Sequence, residues 1–268
     1  MAAVRFSHNR HFTKMDIRED ETLDDLQLKG LKLIQKKSGF RLCLETVLLA
    51  DFAKIHPGDR VCDLGTGTGA LMLLLWGRNK GRAFWGIEIQ QEMAEMAQRT
   101  MILNRLEDHM KVICCPAADA AHHISRQGMD AVVCNPPWPR REKERNVHQP
   151  VSRDLARHQN AAEMLSFLSA AKEILREKGK LFIVYPASDM LDLMVAMRSV
   201  RIEPKCLRFV YPFSDRPANI VLLEGVSGGK PLLQLMPPLI LYQKNGLLTN
   251  ELKSIYHMDE QTEVYSGG

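Results

Sequence analysis

Apolar residues in this chain fall alternately into short runs and helically spaced stripes, which predicts strands and helices in turn. The runs at 60–64, 83–88, 110–114 and 129–134 are short, apolar and bounded by Gly, Pro or charged residues, and they predict buried strands. Stretches with helical spacing predict helices at 70–78, 90–103, 160–177 and 188–199, and three later apolar runs predict strands at 179–185, 206–211 and 218–224. Upstream, Leu23, Leu26, Leu31 and Ile34 carry helical spacing across Leu23 to Lys36, and Leu44 to Ile55 forms a second apolar segment before the turn signal Pro57-Gly58. Regular alternation of this kind predicts a doubly wound α/β fold, with a seven-stranded, mostly parallel sheet covered by helices on both faces.

A chain of 268 residues, 45% hydrophobic, holds one large core and short additions. The expected organisation is a helical extension at 1–56 packing on the core, a ligand-binding catalytic domain at 57–226 and a tail at 227–268. Met1 to Asp25 is polar and lacks the apolar core of a signal peptide, and no run of about 18 apolar residues exists to span a bilayer. The six cysteines form no C-x-x-C pair, which points to reduced thiols in a cytoplasmic protein. The nine histidines show no H-x-x-x-H spacing beside acids, so no metal is expected.

Chemistry enters at the predicted strand ends. Val61-Cys62-Asp63-Leu64 runs into Gly65-Thr66-Gly67-Thr68-Gly69 and then an apolar helical stretch, an arrangement that brings a nucleoside ligand close to the backbone. The glycine spacing departs from both the dinucleotide and the P-loop patterns, and Asp63 would repel a pyrophosphate while welcoming a cationic amino-acid ligand. Glu88 ends the next strand, where ribose hydroxyls are met in doubly wound folds. Asp119 and Asn135 also fall at or just after strand ends, so folding would gather all four around one crevice.

Asn135-Pro136-Pro137-Trp138 follows the strand at 129–134. Two prolines remove two backbone donors and stiffen the turn, which leaves carbonyl acceptors beside the Asn oxygen and a flat ring next to them. Such a site suits the amino group of adenine or a carboxamide. From Pro139 to His158 the chain carries Arg140, Arg141, Lys143, Arg145, Arg153 and Arg157 against three acids, a local excess more telling than the whole-chain charge of +4. Next to a base-sized pocket, a basic loop suggests phosphate contacts that position nucleic acid.

Asp63-Leu-Gly-Thr-Gly-Thr-Gly69, Glu88 and Asn135-Pro-Pro-Trp138 together resemble the class I S-adenosylmethionine-dependent methyltransferases that act on amino groups. Over nearly its full length the chain is similar to the bacterial tRNA adenine-N6 methyltransferases that modify the adenine next to the anticodon of valine tRNA. The shared stretches are Glu21 to Asp25, Ile34 to Arg41, Leu44 to Ala50, Arg153 to His158, Gly228 to Pro231 and Pro237 to Tyr242. That family more often has Tyr or Phe where this chain has Trp138.

The resemblance implies a Rossmann-like fold, S-adenosylmethionine as cofactor and tRNA or another structured RNA as partner, with a monomer and a homodimer both open. It implies that Asp63, Gly65, Thr66, Gly67 and Gly69 hold the methionine part and Glu88 the ribose, with Ile89, Ala118, Asp119 and Asn135 completing the cofactor site. It implies that Asn135 and Pro136 grip the target amino group, that Pro137 stiffens the turn and that Trp138 stacks on the base. Alternatives on the same fold are an rRNA adenine-N6 methyltransferase and a protein glutamine N5-methyltransferase. An NAD-linked oxidoreductase is disfavoured by the glycine spacing, and an inactive binding module by the intact Asn135.

Overall fold

The computed structural model describes residues 17–38, 41–136 and 153–257, with 153–161 as backbone alone. Strands β1 (Glu21–Asp25) and β2 (Lys32–Lys36) form an antiparallel hairpin with Leu23 opposite Ile34. This corrects the helix expected over Leu23 to Lys36. The spacing of its leucines imitates a helix, but the backbone turns left-handed at Gln27, Lys29 and Gly30 (φ +51°, +51° and +71°), which closes a hairpin instead. Leu23, an apolar member of that expected helix, is 43% exposed, whereas Leu33, Ile34 and Gln35 are buried.

Helix α1 (Leu44–Phe52) follows, then a repeating series: β3 (Arg60–Leu64), α2 (Ala70–Gly77), β4 (Ala83–Glu88), α3 (Gln91–Leu103) and β5 (Met110–Cys114). After the single turn α4 (Ala120–His123) come β6 (Met129–Cys134), α5 (Arg153–Ile174), β7 (Leu175–Pro186), α6 (Met190–Ser199), β8 (Ile202–Tyr211) and β9 (Ile220–Ser227). The expected helix at 160–177 therefore starts earlier and gives way to β7 at Leu175, which pairs with Met129 ahead of a register shift in β6. The charged opening of α5 masks its periodicity.

The seven long strands lie in the order β5-β4-β3-β6-β7-β9-β8, parallel except for β9, which runs antiparallel to both neighbours. Two short strands from the segment after residue 227, β10 (Gln234–Leu235) and β11 (Leu239–Ile240), pair along β8, and α7 (Asn250–Ile255) buries Leu252 and Ile255. The fold is thus a mixed α/β doubly wound one around a mostly parallel sheet. Among the described residues no helix is long and apolar enough to cross a membrane.

Strand residues serve the two faces in turn, as the period of 2 requires. Val61, Ala131, Val133, Phe182 and Val184 pack with α1 and α2, and Cys62, Leu64, Val132, Cys134 and Ile183 pack with α5 and α6. From β3 the chain winds outward through β4 and β5, then returns to place β6 on the other side of β3. That reversal leaves a crevice at the carboxyl ends of β3 and β6, where doubly wound sheets bind ligands.

The hairpin docks on α3 through side chains. Asn104 accepts from the Lys32 N–H (2.9 Å) and donates to the Lys32 carbonyl (2.7 Å), and Thr100 Oγ1 accepts from the Ile34 N–H (3.3 Å). Arg99 grips the buried Glu21 carboxylate with both terminal nitrogens, at 2.9 and 2.5 Å. The outer edge of β2 is therefore satisfied by a helix rather than by another strand.

Candidate functional site

The turn leaving β3 is shaped by its glycines. Gly65, Gly67 and Gly69 have φ of +77°, +56° and +81°, so every second residue is left-handed. The N–H groups of Gly65 and Thr66 both donate to the Ile87 carbonyl, at 2.8 and 3.0 Å, which ties the turn to β4. At Gly69 an added Cβ would stand 2.3 Å from Met101 Cε, so close packing of α2 on α3 also excludes a side chain. At Gly67 the nearest neighbour would be Met93 Cε at 3.9 Å, so this glycine faces open space and keeps it open.

That space is a cavity of about 660 Å³ at the carboxyl ends of β3, β4 and β6. Its walls include Asp63, Gly65, Thr66, Gly67, Glu88, Ile89, Ala118, Asn135 and Pro136, all expected to bind ligand, with Leu71, Gln90, Met93 and Phe167 alongside. The Phe167 ring covers the turn, its Cε1 lying 3.4 Å from where a Gly65 Cβ would be. Ile89 is an apolar residue 66% exposed at the rim.

Two buried acids here have different hydrogen-bond partners. Glu88 accepts from the Gly67 N–H through Oε2 and from the Gln90 N–H through Oε1, both at 2.9 Å, so its charge is met by backbone donors. Asp63 has a hydrogen bond from Thr66 Oγ1 at 2.7 Å. Burial pushes the Asp63 carboxyl up to about 7, the Thr66 hydrogen bond working against the shift and nearby Glu88 adding to it. A buried carboxyl beside an open cavity can receive a cation, because a positive group would restore its ordinary ionisation.

Across the crevice, β6 delivers Asn135. The Cys134 thiol donates to the Leu64 carbonyl at 3.3 Å and clasps the tips of β6 and β3 together. The Asn135 Nδ2 donates to Thr46 Oγ1 at 3.1 Å and to Cys43 Sγ at 3.6 Å, both at the start of α1. With the nitrogen so engaged, Oδ1 is left to accept from a ligand.

The start of α1 is held in turn by the hairpin. Gln35 Oε1 accepts from the Leu42 N–H, and Arg41 donates to Asp24 Oδ2 (2.6 Å), the Lys36 carbonyl (2.9 Å) and Thr22 Oγ1 (3.2 Å).

Not every expected residue joins this cavity. Gly69 packs against Met101 and is not among the lining residues, and neither is the half-exposed Asp119, whose carboxylate lies 3.8 Å from His122 Nδ1, although Ala117 and Ala118 are. Pro137, Trp138, Arg140, Arg141, Lys143 and Arg145 lie outside the described residues, as do the side chains of Arg153 and Arg157. Cys43 and Phe167 carry no motif, and Thr46 enters only as part of the shared stretch Leu44 to Ala50. Within that stretch Thr46 and Glu45 are the two polar residues, and neither is singled out by spacing.

Residues 44–200 match the family model described as methyltransferase small domain. Curated relatives include proteins named tRNA1(Val) (adenine(37)-N6)-methyltransferase. That of Dyadobacter fermentans is 22% identical over 164 residues (61% of this chain, 65% of the relative), and that of Aliivibrio salmonicida is 26% identical over 148 residues (55% and 61%). The chain thus spans less than two thirds of the length of these relatives.

Solved structures that share the fold include a predicted O-methyltransferase from Agrobacterium tumefaciens, with TM-score 0.63 and 19% identity over 79% of this chain and 95% of that one. TrmN from Thermus thermophilus gives TM-score 0.52 and 14% identity over 68% and 48%. The family model begins at the first residue of α1, passes through Asp63 and Asn135 and ends just beyond α6, so the chain belongs to the methyltransferase small domain family.

Proposed function

We propose that this chain transfers a methyl group from S-adenosylmethionine to the exocyclic N6 amino group of an adenine in tRNA, in the cytoplasm. The observation that carries the reading is the Asn135 carboxamide, anchored through its nitrogen to Thr46 and Cys43 and so presenting an acceptor beside a cavity whose floor is a buried carboxyl. The relatives named as tRNA adenine methyltransferases support the choice of substrate.

The residues fit the cofactor. Burial suppresses the ionisation of Asp63, which an ammonium group would restore, and Gly67 leaves room that any side chain would fill. Glu88 retains carboxylate lone pairs for ribose hydroxyls beyond the two backbone donors it already accepts. Ile89, Ala118 and Phe167 supply apolar walls for a ring. S-adenosylmethionine, when bound, supplies a methyl group on a sulfonium leaving group.

An adenine amino nitrogen is a weak nucleophile because its lone pair is delocalised into the ring. Asn135 Oδ1 and the Pro136 carbonyl would each accept one amino hydrogen, which draws the nitrogen toward a tetrahedral form and localises the pair. Holding two reactants in register in a dry site contributes on the order of 7–11 kcal/mol, so no strong base is required. Trp138 would stack on the flipped base, and Arg140, Arg141, Lys143, Arg145, Arg153 and Arg157 would hold flanking phosphates.

The test is methylation of unmodified tRNA transcripts with labelled S-adenosylmethionine, followed by nucleoside mass mapping. N6-methyladenosine in tRNA is the expected product. Label in a protein glutamine and none in tRNA would overturn the substrate assignment.

A further inference from the structure

The polar groups behind Asn135 form a chain with a direction. Burial pushes the Cys43 thiol up, with the Thr46 hydrogen bond working against the shift and Glu45 adding to it, so the thiol stays protonated. Its sulfur lone pairs are then left to accept. Thr46 Oγ1 lies 3.2 Å from Cys43 Sγ, which lets the hydroxyl donate to sulfur and accept from elsewhere. Asn135 completes the chain, with Nδ2 donating to Thr46 Oγ1 at 3.1 Å and to Cys43 Sγ at 3.6 Å. The reversed carboxamide would turn N–H groups toward an incoming amino group, donor against donor. Sulfur is a weak acceptor, so the hydroxyl, once its own proton is given to Cys43 Sγ, is the partner that favours the orientation with Nδ2 toward it.

Resting on the methyltransferase reading, we propose that Thr46 is a positioning residue whose hydroxyl locks the Asn135 carboxamide with Oδ1 aimed at the amino group to be methylated. Packing alone does not account for a threonine there. Thr46 is buried in the run Leu44 to Ala50, where an isosteric valine would fill the same space without a buried hydroxyl to satisfy. The group that sets the acceptor thus comes from the first turn of a helix 89 positions away in sequence.

Thr46→Val and Thr46→Ser separate this role from packing. Loss of one decisive hydrogen bond predicts a kcat for Thr46→Val reduced roughly tenfold, with S-adenosylmethionine Kd and tRNA KM within about twofold of wild type. Thr46→Ser restores kcat to within about threefold, because it keeps the hydroxyl and loses only a methyl. The two Asn135 side-chain amide proton resonances, identified by their absence in Asn135→Ala, move in Thr46→Val and stay in place in Thr46→Ser.

Wild-type kcat and unmoved amide resonances in Thr46→Val would overturn the proposal. So would a kcat loss accompanied by an equal loss of cofactor affinity and not rescued by serine, since that is a packing defect. A wild-type protein that methylates no tRNA overturns the parent reading as well, whereas an active wild type with an unaffected Thr46→Val overturns this one alone.

Discussion

The two walls of the crevice are built in opposite ways. The wall around Asp63 and Glu88 is local: a glycine turn of five residues, a strand end on each side, and backbone N–H groups that meet one of the two acids directly. The wall around Asn135 is assembled at long range, from Cys43 and Thr46 on α1, with the hairpin fastened behind them. A local wall is preorganised by backbone geometry and stores its strain in one buried carboxyl. The long-range wall is preorganised by side chains and depends on elements outside the sheet. Failures should therefore differ in kind: changes on the Asp63 side act on affinity and stability, and changes on the Asn135 side act on turnover.

Removal of the acceptor is the sharpest test of that division. Asn135→Ala is expected to lower kcat by about 10²–10³ or more, on the scale of losing one preorganised transition-state contact, while cofactor affinity stays within a few-fold. Single-turnover kinetics and calorimetry on the same preparation decide it. Activity above roughly a tenth of wild type would remove the amino-gripping role.

Asp63→Asn tests the other wall with the opposite signature. The folded Asp63 carboxyl, at about 7 against an ordinary 3.8, contributes stability that is fully present below the lower value and lost as pH rises through the higher one. Melting temperature of the ligand-free protein should fall between those two values, and Asp63→Asn should flatten that slope and raise the melting temperature at neutral pH. Cofactor affinity moves the other way. An ammonium ligand needs the ionised carboxylate, so wild-type affinity should rise as pH passes 7, and Asp63→Asn should weaken it about tenfold to a hundredfold. A variant that melts lower and binds as tightly would contradict both halves of the argument.

The same division explains how much could be read from sequence. The strands at 60–64, 83–88 and 129–134 occur where the apolar runs predict, because a strand largely buried on both faces announces itself without partners, and the half-exposed edge strand at 110–114 also falls where predicted. Asp63, the alternating glycines and Glu88 were legible for the same local reason. The hairpin was not. Its register and its docking on Asn104, Thr100 and Arg99 are contacts between distant segments, and its leucine spacing satisfies a helical template equally well. The roles of Thr46 and Phe167 were hidden likewise, since nothing in α1 alone shows that Thr46 faces Asn135, nor anything in α5 alone that Phe167 faces the turn after β3.

The basic segment extends the comparison to the partner. Arg140→Ala combined with Arg141→Ala should weaken tRNA binding and lower the slope of log affinity against log salt by roughly one unit per lost phosphate contact, with cofactor affinity unchanged. Filter binding across a salt series measures it. An unchanged slope would assign these residues to the solvated surface.

The smallest expected effect tests whether the hairpin belongs to the long-range wall at all. Gln35 is buried, donates to Asp24 Oδ2 at 2.5 Å and accepts from the Leu42 N–H, one residue before Cys43. Gln35→Ala removes that tie and leaves the Asp63 wall untouched. Loss of a buried hydrogen bond costs about 1 kcal/mol, a few degrees in melting temperature, and looser placement of Cys43 and Thr46 should lower kcat a few-fold. Cofactor affinity should not change, because the glycine turn is fastened to β4 and not to the hairpin. If Gln35→Ala weakens cofactor binding and spares kcat, the hairpin supports the other wall, and the separation between affinity and turnover does not follow the geometry.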